Sequence, residues 1–391
     1  MVCTDASLVV RSLGETVTTV ESPNDSAGPI LILIDDFGQG GAQRQIAMMV
    51  REFVARGREV IVARYADRDF LESEIRGAGA TVRRLEGGGR LGWMRSLVRL
   101  ARECQPAVIC AFLVGPATLA LLSDKLHRID APIVVCERCT DPAGPVGVKR
   151  RMSLALYGRA DAIICNSRRQ ADWLVHTRPG LRKRVRHIGN AVDLDRFVAA
   201  PWSGTAVDRI LVLGRVVEAK GVGVLARAID LLRARPEFQG MPSVEWHGQE
   251  HGNGPRLCRA AGASGEGIRF LPPVANVPSL IGSADALLLP SISGEGTPNA
   301  ILEVMSVGRV VIATDVGDSA AIVDSGHTGW IVPPNDPESL AGVLASVRVL
   351  GAEHIHAMSV RARARVEELA SIKRIVDDYE GVFEMLGVQL Q

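Results

Sequence analysis

Residues 286–308 read ALLLPSISGEGTPNAILEVMSVG, and this stretch decides the fold. Ala286-Leu-Leu-Leu-Pro290 is an apolar run of strand length bounded by turn residues, as in a buried parallel sheet. In the helical pattern that follows, Thr297 fits the N-cap, Pro298 the first helical position and Gly308 the residue just past the end. A helix N-terminus at the carboxyl end of a strand is where an open α/β sheet offers backbone N–H groups to an anion. Two carboxylates flank that anion site, Glu295 in the loop and Glu303 in the helix. Carboxylates repel phosphate but accept hydrogen bonds from hydroxyls. A site for phosphate and several hydroxyls together points to a nucleotide sugar. The spacing alone is weak, because capped helices carrying glutamates are common; the rest of the chain gives it weight.

The alternation of strand and helix patterns runs outward from this unit. Ile30–Ile34, Val60–Ala63, Thr81-Val82, Val108-Ile109, Ile133–Val135 and Ala162–Ile164 read as strands, with helical patterns between them, including Ala42–Arg56. A second series follows Pro201-Trp-Ser-Gly204: strands at Ile210–Leu213, Val244–Trp246, Ile268–Leu271, Ala286–Leu289 and Val310–Ile312, with a helix over Gly221–Arg235. Such alternation predicts parallel sheets covered by helices. The expected fold is therefore α/β, two Rossmann-like domains facing across a cleft. Residues 28–198 form the first, 199–370 the second, and 371–391 a last helical segment. Residues 1–27, polar and rich in Ser and Thr, read as a disordered leader rather than a signal peptide.

Composition narrows the class. The chain has 391 residues, 47% hydrophobic and 23% charged, an ordinary globular balance. Its net charge of +1 hides an asymmetry. Residues 28–198 hold 28 Lys and Arg against 18 Asp and Glu, whereas residues 199–391 hold 16 against 22. A basic first domain suits an anionic partner. Lys149-Arg-Arg151 and Arg178–Arg186 would attract an anionic membrane surface, while the few aromatics argue against nucleic acid. No apolar stretch reaches the length of a spanning helix. The seven cysteines form no disulfide framework, which fits a cytoplasmic protein, here one at the inner face of a membrane. Cys136-Glu-Arg-Cys139 has redox spacing without a second ligand pair, and Cys136 reads as a buried thiol.

Other motifs exclude rivals. Gly38-Gln-Gly40-Gly41 follows the first strand and opens a helix, but Gln43 stands where a dinucleotide fingerprint needs its third glycine. Arg64 and Tyr65 occupy the place of the ribose-binding acid. These glycines still permit close approach by a ligand or by the other domain. Asp35-Asp36 is no spaced metal site, and no metal or cofactor is expected. There is no Walker loop and no nucleophile elbow. Gly214-Arg215 and Lys220-Gly221 place two cations near one strand-to-helix turn, where they can clamp a diphosphate.

Glu295 and Glu303 together form an E-x7-E element, and the chain resembles the family-four glycosyltransferases of the GT-B fold. The stretches GRVVEAKGV at 214–222, GGAQRQI at 40–46 and HIGNAVDLDRF at 187–197 fit as well. The resemblance implies a retaining, metal-free hexosyl transfer from a nucleotide diphosphate sugar to a hydroxyl of a glycan or lipid-linked acceptor. Arg215 and Lys220 would hold the diphosphate, Glu303 the ribose and Glu295 the transferred sugar. Gly40, Gly41, Gly296, Thr297 and Asn299 would contact the donor through their backbone amides. The last helix, Ile372–Leu386, would cross back to the first domain. Many relatives carry a histidine where this chain has Cys136-Glu137-Arg138-Cys139, a variant similar to the S-E-R-N of enzymes in surface polysaccharide or lipid-linked oligosaccharide assembly. Glu137 and Arg138 are thereby candidate acceptor-side groups, with a salt-bridged strand end as the competing reading. The competing functions are a nucleotide-sugar epimerase or hydrolase of the same fold and a non-catalytic nucleotide-sugar-binding protein.

Overall fold

The computed structural model describes residues 28–390 apart from 39, 128, 139–146, 201, 203 and 236–241, and leaves out the side chains of 148 and 149. The leader at 1–27 and Cys139 lie outside the described residues. Seven parallel strands make the first sheet: β1 (Ile30–Leu33), β2 (Val60–Arg64), β3 (Thr81–Arg84), β4 (Val108–Phe112), β5 (Ile133–Glu137), β6 (Ala162–Cys165) and β7 (Val185–His187). Their order is β3-β2-β1-β4-β5-β6-β7. Six more form the second sheet: β8 (Arg209–Leu213), β9 (Ser243–His247), β10 (Ile268–Leu271), β11 (Ala286–Leu289), β12 (Val310–Thr314) and β13 (Gly329–Val332). Their order is β10-β9-β8-β11-β12-β13.

Every residue of β1, β4, β5 and β12 is buried because helices cover both faces of each sheet. Side chains alternate between two cores. Ile30 and Ile32 enter one with Phe53 and Phe383, while Leu31 and Leu33 enter the other with Met94 and Leu97. In each sheet the winding direction reverses once, between β1 and β4 and between β8 and β11. At such a reversal the loops part at the carboxyl ends of the strands and leave a crevice.

The helix Ile372–Met385 packs on the helix Gly41–Ala55, with Tyr379 and Phe383 buried in the core of the first sheet. Arg56 ties the two helices through Asp377 at 2.6 Å and Glu380 at 2.9 Å. Val192 and Ser371 pair as an isolated bridge, so the segments that link the sheets near 192 and 371 run side by side. Among the described residues no helix is long and apolar enough to cross a membrane.

One local expectation is corrected. The helix after β11 spans Asn299–Ser306 with Pro298 as its N-cap, and no side chain caps it. Thr297 does not serve, because its hydroxyl donates instead to the carbonyl of Asn166 in the first domain. Gly308 stands past the helix end at φ +80°, a left-handed position that glycine takes without strain.

Candidate functional site

The site forms where the loops after β8 and β11 leave the second sheet on either side of its winding reversal. The Ile292 amide donates to the Ala219 carbonyl at 2.9 Å, which fixes one loop on the other. Gly221 makes this approach practicable: at φ +79°, a Cβ there would meet the Pro290 carbonyl oxygen at 1.8 Å. Lys220 is thereby delivered to Glu295, its Nζ donating to Oε1 at 2.5 Å. Ser291 Oγ donates to the same oxygen, also at 2.5 Å. Two residues 75 positions apart thus share one charge-assisted hydrogen bond. Arg215 stands on the same β8 loop with an exposed side chain and no ion pair among the described residues. Gly214 beside it is at φ +143°, and its carbonyl accepts from Trp246 Nε1 at 2.9 Å.

Glu303 lies one helical stretch further on, at the seam with the first domain. Its Oε1 is 3.7 Å from Arg44 Nη1. Burial raises its carboxyl above the usual range, against the opposing pull of Arg44 and Arg196.

The loop after β11 is clasped by residues of the first domain. Asn190 Nδ2 donates to the Thr297 carbonyl at 2.9 Å and to Asn299 Oδ1 at 2.7 Å. Gln45 Nε2 reaches the same Asn299 oxygen at 3.3 Å. A Cβ on Gly41 would lie 3.0 Å from Asn299 Nδ2, so Gly41 admits the other domain, one of the two readings its glycines allowed. A Cβ on Gly40 would meet only the flexible Gln43 side chain. On Gly296 it would lie 2.8 Å from Asn166 Oδ1, a buried oxygen with no hydrogen-bond partner among the described residues. The next loop is held as well. The buried Asp318 accepts from Ser167 Oγ at 2.8 Å, from the Arg168 amide at 2.9 Å and from His187 Nε2 at 3.1 Å. Burial alone would raise its pKa, but these bonds outweigh that and hold it below the usual range.

Glu137 and Arg138 are both buried, as the competing reading of a salt-bridged strand end expects. Glu137 is 1% exposed and takes Arg150 Nη1 at 2.7 Å, Gln170 Nε2 at 3.1 Å and the Tyr157 hydroxyl. A strand-end carboxylate inside the core must be paired, and these three groups surround it. Arg138, 8% exposed, lies over the Phe112 ring and donates to Tyr379 Oη at 2.5 Å and to Asn190 Oδ1 at 2.7 Å. It therefore stands behind Asn190, linking the last helix to the loop after β11. Arg150, counted with the surface cluster 149–151, points inward to Glu137. The side chain of Lys149 lies outside the described residues.

Asn166, Asn190, His187 and Asp318 escaped the sequence reading. His187 and Asn190 lie in a quoted stretch, but a lone polar residue at a strand end or in a loop carries no periodicity to mark it.

A parallel α/β pair of sheets with a crevice at each reversal and a clasped strand–loop–helix between them is the GT-B architecture. HepE from Anabaena, in complex with UDP-glucose, superposes with a TM-score of 0.74 over 93% of this chain and 100% of its own at 19% identity. Glycosyltransferase Family 4 matches residues 39–196, and Glycosyl transferases group 1 matches residues 207–347. The chain therefore carries glycosyltransferase domains of the family 4 and group 1 types, one over each sheet. The putative colanic acid biosynthesis glycosyltransferase WcaL of Escherichia coli is 32% identical over 199 residues, 48% of this chain and 47% of that protein. The phosphatidyl-myo-inositol mannosyltransferase of Mycobacterium tuberculosis is 32% identical over 167 residues, 40% of this chain and 42% of that protein. The chain thus spans less than half the length of either relative.

Proposed function

We propose that this protein transfers a hexosyl unit, with retention and without a metal, from a nucleotide diphosphate sugar to a hydroxyl of a glycan or lipid-linked acceptor at a cytoplasmic membrane surface. The Lys220–Glu295 bond carries this reading. An incoming diphosphate competes with Glu295 for Lys220, and Arg215 adds a second cation on the same loop. As Lys220 turns to phosphate, Glu295 regains an oxygen for the hydroxyls of the sugar, still held in place by Ser291. Glu303 takes the ribose hydroxyls, with its carboxylate restrained by Arg44. As the glycosidic bond breaks, negative charge grows on the leaving diphosphate, where two preplaced cations lower the barrier. The acceptor hydroxyl is brought up from the first domain, so that positioning supplies the rest.

Support also comes from HepE, which is in complex with UDP-glucose, and from a mycobacterial relative named for mannosyl transfer to phosphatidyl-myo-inositol. The test is calorimetric titration with UDP-, GDP- and ADP-hexoses, followed by NMR of the product anomer. Binding of one donor that is lost in Lys220→Ala, and transfer with retention in the presence of EDTA, are expected. Release of free sugar without an acceptor would mark a hydrolase instead. Absence of binding to every donor would remove the donor site.

A further inference from the structure

The first sheet has its own winding reversal, where the loops after β1 and β4 part, and the donor-side argument leaves its crevice unused. A cavity of about 130 Å³ lies beside it, past the ends of β2, β3 and β4, lined by Tyr65, Arg90, Trp93 and Gly115 together with Met94 and Leu119 of the core. Tyr65 directly follows β2. Arg90 and Trp93 open the helix Gly89–Cys104 after β3, and Gly115 opens the helix Val114–His127 after β4. Three strand ends thus converge on one carboxyl edge, the edge from which Gly41 meets Asn299.

Met94 and Leu119 of the lining are core residues, but the aromatic pair packed against them stays partly open. Tyr65 and Trp93 stack with ring centroids 4.5 Å apart and planes inclined by 26°, yet both rings remain half-buried rather than enclosed. The Asp35 carbonyl accepts from the Tyr65 amide at 3.2 Å, so the end of β1 and the phenol are fixed together. Burial and the charge of Asp35 push the phenol up to about 12, which keeps it a hydrogen-bond donor. Arg90 stands at the rim, exposed, with no ion pair among the described residues. Leu113, between β4 and its helix, is held at φ +74°, a left-handed conformation that strains a branched side chain and clusters at ligand sites. The volume is well below the ~300–1,000 Å³ of pockets that enclose a drug-sized ligand. It has room for one ring.

We propose that this crevice seats one sugar ring of the acceptor, its C–H face on the Tyr65–Trp93 wall and an anionic substituent against Arg90. The inference rests on the transferase reading, because it names where the acceptor half of that reaction binds. An aromatic wall takes the apolar face of a pyranose, and the phenol takes a hydroxyl at the ring edge. A guanidinium favours a carboxylate or phosphate over a neutral substituent.

Saturation-transfer NMR on the full chain tests this with methyl α-glucoside, methyl α-mannoside, glucuronic acid and glucose 1-phosphate. The last two distinguish a uronate from a phosphate as the source of the anion. Ring-proton saturation is expected, stronger for at least one acidic probe than for the neutral glycosides. Trp93→Ala should weaken it about three- to tenfold, and Arg90→Gln should level acidic and neutral probes. Gly115→Ala is the second variant: its methyl would meet Tyr65 Oη at 2.9 Å and narrow the crevice without emptying the core. Nucleotide-sugar binding, measured on the same samples, should be unchanged in all three.

Three results overturn the proposal. One is no saturation of any probe, and another is saturation that survives both Trp93→Ala and Gly115→Ala. Loss of nucleotide-sugar binding in Trp93→Ala also overturns it, by assigning the wall to the donor. A wild-type protein that binds the saccharides through Trp93 but binds no nucleotide sugar strikes the transferase reading and leaves the crevice standing.

Discussion

The ends of β11 and β5 look alike in sequence and differ in fate. Each is an apolar strand followed by a glutamate, Glu137 closing β5 itself and Glu295 standing in the loop past β11. After β11, Glu295 meets a lysine brought by a neighbouring loop, and both side chains keep some contact with solvent, 9% and 23% exposed. At β5, Glu137 is sealed beneath Arg150, Tyr157 and Gln170. A ligand can exchange for one partner of the first pair. To do the same at the second it would have to open the core. The chemistry of a charged pair is therefore set by which neighbours close over it, and that is decided by chain segments far away in sequence.

The largest effect separates the pairs by activity. Lys220→Ala and Glu295→Gln should each lower the turnover number by about 100- to 1,000-fold, the loss typical of one preplaced charge-stabilising group. The thermal midpoint should stay within about 4 °C of wild type, since neither residue holds the core. A turnover assay with each nucleotide hexose and a melting scan read both. Near-normal turnover in both variants would sink the assignment.

Glu137→Ala should do the reverse. It removes the carboxylate that Arg150, Tyr157 and Gln170 share, and breaking a buried ion pair costs about 3–5 kcal/mol. Urea denaturation should show the loss, while the folded fraction still binds the donor. Unchanged stability with abolished transfer would return Glu137 to the acceptor side.

Asp318 probes the clasp between the domains. Asp318→Asn should cost about 1–2 kcal/mol, as for a hydrogen-bonded charge replaced by a neutral acceptor. Its folded pKa is depressed, so the stability it contributes is fully present above the unfolded value of about 3.9 and is lost as pH falls through the lower folded value. The advantage of wild type over the variant should be flat near neutrality and should close below about pH 4. A gap that persists in strong acid would mean that shape, not charge, holds the clasp.

How far the sequence reached follows the same contrast. The central strands were legible because burial on both faces demands unbroken apolar runs, as in Ile30–Leu33 and Val310–Thr314. Strands β7 and β13 were not, although the opposite rim strands β3 and β10 were. Val185-Arg-His187 is three residues long, and Gly329-Trp-Ile-Val332 opens on a glycine. That Lys220 and Glu295 come together was legible through loop chemistry at strand ends. The clasp by Asn190, Asn166 and Asp318 was not, since its partners lie 107 to 151 positions away and no local pattern encodes them. The hydroxyl of Thr297 illustrates this. Locally it suits an N-cap, and a carbonyl 131 positions earlier takes it instead.

Glu303 gives the smallest and most discriminating effect, because function and stability pull it apart. Burial raises its carboxyl, so the folded protein holds that proton more tightly than the unfolded chain does. As pH rises past the ordinary value of about 4.3, the charged carboxylate therefore costs stability. Glu303→Gln removes that cost. Arg44 loses a partner only 3.7 Å away at a half-open surface, where an ion pair is worth at most about 1 kcal/mol. Without donor, the variant should melt no lower than wild type at neutral pH, and relative to it should gain as pH rises above the ordinary carboxylate value. Donor affinity should nevertheless fall by about tenfold, since a charged acceptor of ribose hydroxyls has become a neutral one. A variant that binds donor as tightly as wild type would show that the buried charge is kept for the domain seam and not for the nucleotide.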